Sequence, residues 1–305
     1  MELRKDQFEI IGKDLSSAQK IVRPSMTYWQ DAWRRLKKNP AAIIAIIILA
    51  FLSIMAVFGP YMQPYGFSEQ NLMLTNARPG QEGHVLGTDA LGRDMFVRIW
   101  IGARISLLIG LTGAFIELII GIIYGGIAGF KGGMVDNIMM RIVDVLLVIP
   151  ELVLMILLIM IMGPGLLTVI IAISATHWIP MARIVRGQIL QVKEQEFVLA
   201  AKTLGASPSR LIARHLVPNV IGPIIVRLTF SIPGAIFFEA FLSYLGMGVP
   251  QPLASWGTLA AEGQRAIIAH PHLIMFPAIA ISLAMLSFNM LGDGLRDALD
   301  PRLRK

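Results

Sequence analysis

No cysteine occurs anywhere in the 305 residues. That removes disulfides, thiolate nucleophiles, iron–sulfur clusters and cysteine-ligated zinc together. Charge is scarce as well. Asp, Glu, Lys and Arg make up 15% of the chain, against roughly 25% in soluble globular proteins. So few charges cannot cover a water-soluble enzyme of this length, and the 55% hydrophobic content excludes disorder. Catalytic signatures are missing too: no HExxH, no GxSxG and no Walker A sequence is present. The five histidines, His84, His177, His215, His270 and His272, are scattered. His270 and His272 flank Pro271 on an expected loop, and with no clustered carboxylate they read as a loop or helix start rather than a metal site. The expectation is a chain without a catalytic residue, a metal or a nucleotide site of its own.

What is present is apolar sequence in long runs. Ala41 to Phe58 is broken only by Ser53, long enough to span hydrocarbon as a helix. Forty residues precede it, so it reads as an uncleaved transmembrane helix rather than a signal peptide. Pro40 suits its first turn. Five further stretches follow: Ile105–Phe130, Ile142–Met162, Gly165–Ala182, Val220–Leu245 and Pro271–Leu291. Lys131-Gly132-Gly133 and Gly163-Pro164-Gly165 make tight turns between neighbours. No run alternates as barrel strands do. The expectation is an all-α, polytopic protein with six transmembrane helices.

Basic residues orient it. Of 27 Lys and Arg, 21 fall in the tail 1–40 and the segments 131–141, 183–219 and 296–305, while four fall in the loops 59–102 and 246–270. The basic side is expected to be cytoplasmic, with both termini inside. The net charge of +7 is then a topology signal, and nucleic acid is not an expected partner. Trp29, Trp33 and Leu36 recur at helical spacing beside Arg34, Arg35, Lys37 and Lys38. They read as an interfacial helix against membrane lipid, or as a tail whose tryptophans mark the interface.

Inside the spans, Gly121, Gly125 and Gly129 recur every four residues and suit close helix packing. Pro150, Pro164, Pro180, Pro223, Pro233 and Pro277 suggest kinked helices around a cavity. Glu117, Glu151, Arg227, Glu239 and His177 are costly in apolar runs. They either line a translocation path or pair structurally. The spacing allows an ion pair between Glu151 and Arg227, while Glu239 sits on the outer half near Phe237, Phe238, Phe241 and Tyr244. In the outer loop, Asp89 and Asp94 read as turn and cap residues, with Arg93 as a contact, rather than as a cation site.

The segment EQEFVLAAKTLGASPSRLIARHLVPN, residues 194–219, carries the strongest signal. Phe197, Leu199, Ala200, Ala201 and Leu204 suit a short helix, stopped by Gly205. Ser207-Pro208 starts a second helix with Leu211, Ile212 and His215, expected to end at Val217-Pro218-Asn219. Two short helices would meet at a glycine elbow.

At Ala200, Ala201, Gly205 and Pro218 the segment resembles the EAA loop of ABC-importer permeases. It departs from that pattern at Leu199, in the glutamate position, and at His215 and Val217. Glu196 lies three residues before the glutamate position. Further resemblance lies in HVLGTDALGRDMFVRIWIGARISLLIG (84–110), EAFLSYLGMGVPQPLASWGTL (239–259) and LGDGLRDALDPRLRK (291–305). Together these are similar to the C-type permease subunit of oligopeptide and dipeptide importers.

The resemblance implies a type I ABC-importer permease fold in the inner membrane. It implies a coupling loop, with Glu196, Ala200, Ala201, Gly205, Ala206, Ser207, Arg210, His215 and Pro218, seated on a separate ATPase. The expected partners are a homologous second permease in a heterodimer, two ABC ATPases that use ATP and Mg, an extracellular solute-binding protein and a peptide substrate. No cofactor is expected on this chain. The implied organisation is a tail at 1–40 with the interfacial helix, a first span at 41–58, an external loop at 59–102, a five-span permease core at 103–292 with the coupling loop at 194–219, and a cytoplasmic tail at 293–305. Dipeptides, nickel or glutathione are alternative cargoes within the family. The rivals outside it are an ion-coupled transporter using Glu117, Glu151 or Glu239, and an intramembrane hydrolase.

Overall fold

The computed structural model describes residues 27–300. Residues 1–26 and 301–305, with five and three of the basic residues of the two tails, lie outside it. The described chain is helical, without strands.

Helix α1, Tyr28–Leu36, begins at Thr27, whose hydroxyl and the Gln30 side chain form a reciprocal capping box. Leu36 turns inward onto Ala42 and Ala298, while Trp29 and Trp33 stay exposed. Asn39 caps α2, Pro40–Phe58, with proline in the first turn as its missing N–H permits. Apart from Ser53, the outward side chains of α2 are apolar, Ile44, Ile47, Phe51 and Ile54 among them. That is the surface a lipid-facing helix presents.

Helix α3, Met95–Lys131, is 37 residues long and starts ten residues before the apolar run it contains. The Asp94 carboxylate accepts from Val97 N at 2.8 Å and caps it, so Asp94 serves as the sequence suggested. The early start was hidden because Arg98 and Arg104 interrupt the apolar pattern. Arg98 is fully buried but ion-paired to Asp89 and Glu262, both at 3.2 Å. The expected external loop at 59–102 is shortened accordingly.

The third apolar stretch is not one helix. It forms α4, Gly133–Val148, and α5, Glu151–Met162, bent by 86° at the intervening Ile149-Pro150. Pro150 cannot continue a helical ladder, and the residue before it is driven to extended geometry; Ile149 has φ −76° and ψ 125°. Helix α6, Leu166–Val192, follows, and then the short α7, Glu196–Thr203. Helix α8, Pro208–Tyr244, crosses the protein in one piece. Helix α9, Trp256–Gln264, lies in what the sequence presented as a plain outer loop, with Trp256 fully buried. Helix α10, His272–Leu299, ends the described chain. Five helices are long and apolar enough to cross a membrane, six with the bent pair counted as one span.

The glycine series on α3 faces α6. A Cβ built on Gly125 would lie 2.2 Å from the Ala182 carbonyl oxygen, and one on Gly129 would lie 2.9 Å from that of Arg186. At Gly121 the obstacle is Met181. The two backbones meet because nothing stands between them. Two apolar clusters lie beside one another at the same level of α3, around Trp256 and Phe288 and around Ile173 and Leu242, and a third, around Ile189 and Leu216, lies toward the elbow.

Candidate functional site

The elbow at 194–219 is built by two helix-ending devices in succession. At the end of α7, Gly205 N bonds Lys202 O at 3.0 Å and Ala206 N bonds Ala201 O at 3.1 Å. This is a Schellman arrangement, which needs a left-handed residue at its centre; Gly205 supplies φ +83°. Ala201 and Ala206 pack together against the inner cluster. Ser207 then accepts from Arg210 N and opens α8, with Pro208 in the first turn.

The second helix does not end at Pro218, as the sequence suggested. It runs on through a π turn at Leu211–Leu216, where Val217 N bonds Ile212 O five residues back. The wider turn lets Val217 remain helical beside a residue with no N–H to give. The Asn219 side chain donates to the His215 carbonyl at 2.6 Å, one turn back across the proline. The elbow is therefore the base of a transmembrane helix.

Val198, Leu211 and Leu216 anchor the elbow in the inner cluster. Phe197, Leu199 and Leu204 point outward with Glu196, Ala200 and Arg210, and Leu204 is 88% exposed. Apolar side chains thus stand open on a polar loop. Nothing in the chain lies within 4 Å of a Cβ at Gly205. The backbone angle alone therefore demands glycine here.

The intramembrane charges divide into two groups. Arg227 pairs with Glu117, not with Glu151: its Nε lies 3.5 Å from Oε1, an ion-pair distance without hydrogen-bond geometry. His177 joins this pair to the bent span. Its Nδ1 is 3.9 Å from Glu117 and its Nε2 is 3.0 Å from Glu151 Oε1, which also accepts from Thr176 at 3.0 Å. Helices α3, α5, α6 and α8 meet in this chain of contacts. Glu117 is fully enclosed, whereas the side chains of Glu151 and Arg227 are 39% and 32% exposed.

Glu239 is apart from them, fully buried, and accepts hydrogen bonds from Ser106 at 3.3 Å, Ser243 at 2.7 Å and Ser255 at 2.5 Å. It ties α8 to α3 and to the start of α9, so it lines no open passage in this conformation. Ser243 could be read from its spacing of four. Ser106 and Ser255 could not, being 133 and 16 residues away.

On the opposite end from the elbow, Asp89 receives Arg93 Nε at 2.6 Å, and Glu262 lies near both Arg93 and Arg98. Asp89, Arg93 and Glu262 wall a cavity of about 310 Å³. Among the described residues, no group of three or more His, Asp and Glu is arranged to hold a metal.

Comparison with known proteins agrees with this architecture. The family model described as binding-protein-dependent transport system inner membrane component matches residues 118–305. A second, for the N-terminal transmembrane domain of oligopeptide transport permease C, matches 27–79. The chain is 51% identical over 301 residues to the oligopeptide transport system permease protein OppC of Bacillus subtilis, covering 99% of this chain and 98% of that one. It is also 51% identical over 302 residues to the dipeptide transport system permease protein DppC of the same organism, covering 98% and 94%. A solved structure of the MetNI methionine ABC transporter, described as inward facing, superposes with a TM-score of 0.56 at 18% identity, over 68% of this chain and 98% of that one. That likeness shows a common fold, the type I ABC-importer permease fold. The chain belongs to the family of binding-protein-dependent transport system inner membrane components, as a multi-pass protein of the inner membrane.

Proposed function

We propose that this chain is one of two homologous permease subunits of an ATP-driven importer that carries oligopeptides inward by alternating access. The observation that carries the mechanism is the elbow: an apolar surface left open at the foot of α8, a helix continuous to the far side of the bundle. The peptide cargo is supported by the near full-length identity to relatives named as oligopeptide and dipeptide permeases.

A separate ATPase seats on Phe197, Leu199 and Leu204, with Glu196, Ala200, Ala201, Gly205, Ala206, Ser207, Arg210, His215 and Pro218 shaping the surface. Two such ATPases bind and hydrolyse ATP with Mg. Their closure displaces the elbow. The 37 residues of α8 reach about 55 Å at 1.5 Å per residue, so the displacement is delivered deep into the bundle. The chain contributes the difference in stability between an outward-open and an inward-open state. Both termini and the elbow lie in the cytoplasm, and a solute-binding protein delivers cargo to the opposite face, where the Asp89–Arg93–Glu262 cavity opens.

The test is reconstitution of the complete complex in proteoliposomes with labelled peptides of graded length. Import should require ATP and the binding protein. Import that persists without ATP and collapses with the proton gradient would establish the ion-coupled reading instead.

A further inference from the structure

Helix α8 has one open face. Arg227, Gly234, Phe237, Phe241 and Tyr244 follow one another at separations of seven, three, four and three, so they share a side of the helix. The opposite side, with Ile224, Ile232, Ile236 and Leu242, is buried. The three aromatics form a stepped ladder, with ring centroids 6.3 Å and 6.5 Å apart, and each ring is substantially exposed. From Tyr244 to Arg227 the stripe descends about 26 Å at 1.5 Å per residue. At its lower end stands the chain of contacts from Arg227 through Glu117 and His177 to Glu151.

This face cannot rest against hydrocarbon. A guanidinium well inside α8 and a carboxylate at the break of the bent span, on the first residue of α5, are costly there. The extended backbone at Ile149-Pro150, next to Glu151, is tolerated at that depth only against protein or water. Helix α2, which carries no charged side chain and exposes only Ser53 among apolar neighbours, makes the contrast.

Glu117 and His177 act as interior holders of the two exposed charges. Both contacts of Glu151, with His177 and Thr176, use Oε1, leaving Oε2, and Arg227 meets Glu117 through Nε, leaving its two terminal nitrogens. The wall therefore presents an anion and a cation, each fixed on one edge and available on the other.

Building on the peptide-import reading, we infer that the open face of α8 together with Glu151 is a cargo-contacting wall, in which Glu151 receives the α-ammonium end of a peptide and Arg227 its carboxylate end. A carrier that accepts varied side chains must hold what all peptides share. The termini are such groups, and opposite charges in a low-dielectric wall recognise them through charge-assisted hydrogen bonds. The aromatic ladder adds contact that is indifferent to side-chain direction.

The test uses the assembled permease–ATPase complex in nanodiscs without its binding protein. The probe is Ala-Ala-Lys-Ala with a fluorophore on the lysine side chain, read by fluorescence polarisation with free ends, acetylated or amidated. Acetylation and amidation should each weaken wild-type binding about tenfold. Glu151→Gln, which keeps an acceptor for His177 and Thr176, should erase the acetylation effect and keep the amidation effect. Arg227→Lys should shrink the amidation effect alone. No wild-type binding, a wild type blind to both caps, or variants that lose all three peptides equally would overturn the inference. ATP-driven import by the wild-type complex is read separately and reports on the transport reading itself.

Discussion

Replacing Gly125 by alanine should loosen the seam between α3 and α6. The added Cβ would stand 2.2 Å from the Ala182 carbonyl oxygen and 2.9 Å from Val185 Cβ. Backbone cannot rotate away as a side chain can, so the helices must separate by about 1 Å to reach van der Waals distance. A gap of that size forfeits at least a quarter of each contact across it. Met181, Val185 and Ile189 face the glycine series. With about 40 contacts per side chain at about 0.1 kcal/mol, each loses ~1 kcal/mol, or ~3 kcal/mol in all. Alanine returns up to ~1 kcal/mol through helix propensity, leaving a net cost of about 2 kcal/mol. Gly126→Ala is the matched control, because its Cβ meets only Ile189 Cδ1 at 3.9 Å. The assay is the thermal midpoint of the purified complex in one detergent. Equal midpoints for the two variants would refute the reasoning, since they differ only in what the methyl group meets.

Three further outcomes are expected. Gly205→Glu should insert and assemble but hydrolyse ATP without importing peptide, while Gly205→Asn should retain most import because asparagine visits the left-handed region at lower cost; the ratio of peptide imported to ATP consumed decides it, and normal import by the Glu variant would remove the elbow from the mechanism. Neutralising Arg227 alone with Gln should destabilise by about 3 kcal/mol, because it leaves the enclosed Glu117 carboxylate without compensation; the double Gln variant should melt closer to wild type, and additive losses would show that the pair is not coupled. Glu239→Ala should release the start of α9 by stranding the hydroxyls of Ser106, Ser243 and Ser255, at about 1–3 kcal/mol. Limited proteolysis should then cut faster within residues 246–255; unchanged cleavage would count against that tie.

Composition and long apolar runs made the membrane class legible, because the bilayer imposes length and polarity on each helix independently of its neighbours. The elbow was legible for a similar reason: Gly205 and Ser207-Pro208 act on the backbone next to them. The same local rules misplaced its end. Pro218 breaks a regular α-helix, but a π turn absorbs it, and no local rule registers that the following span holds the helix together. Arg98 looked like loop because its partners Asp89 and Glu262 are nine and 164 residues away. The Glu151–Arg227 pairing was inferred from depth along two helices, yet rotation about each axis decides who meets whom, and that put Glu117 and His177 between them.

By itself the sequence determined that this is a helical protein of the membrane, where its apolar runs lie, and that a bent loop of small residues joins two of them. Those properties depend on the chemistry of adjacent residues and on the solvent around them. Only the tertiary structure decided that α4 and α5 part at 86°, that α8 is one helix from the elbow to the far side, and that Glu239 is an internal tie while Glu151 and Arg227 face open space. Each of these depends on which helix face meets which. Four or more helices fix that jointly through packing, and no stretch of one chain carries it alone.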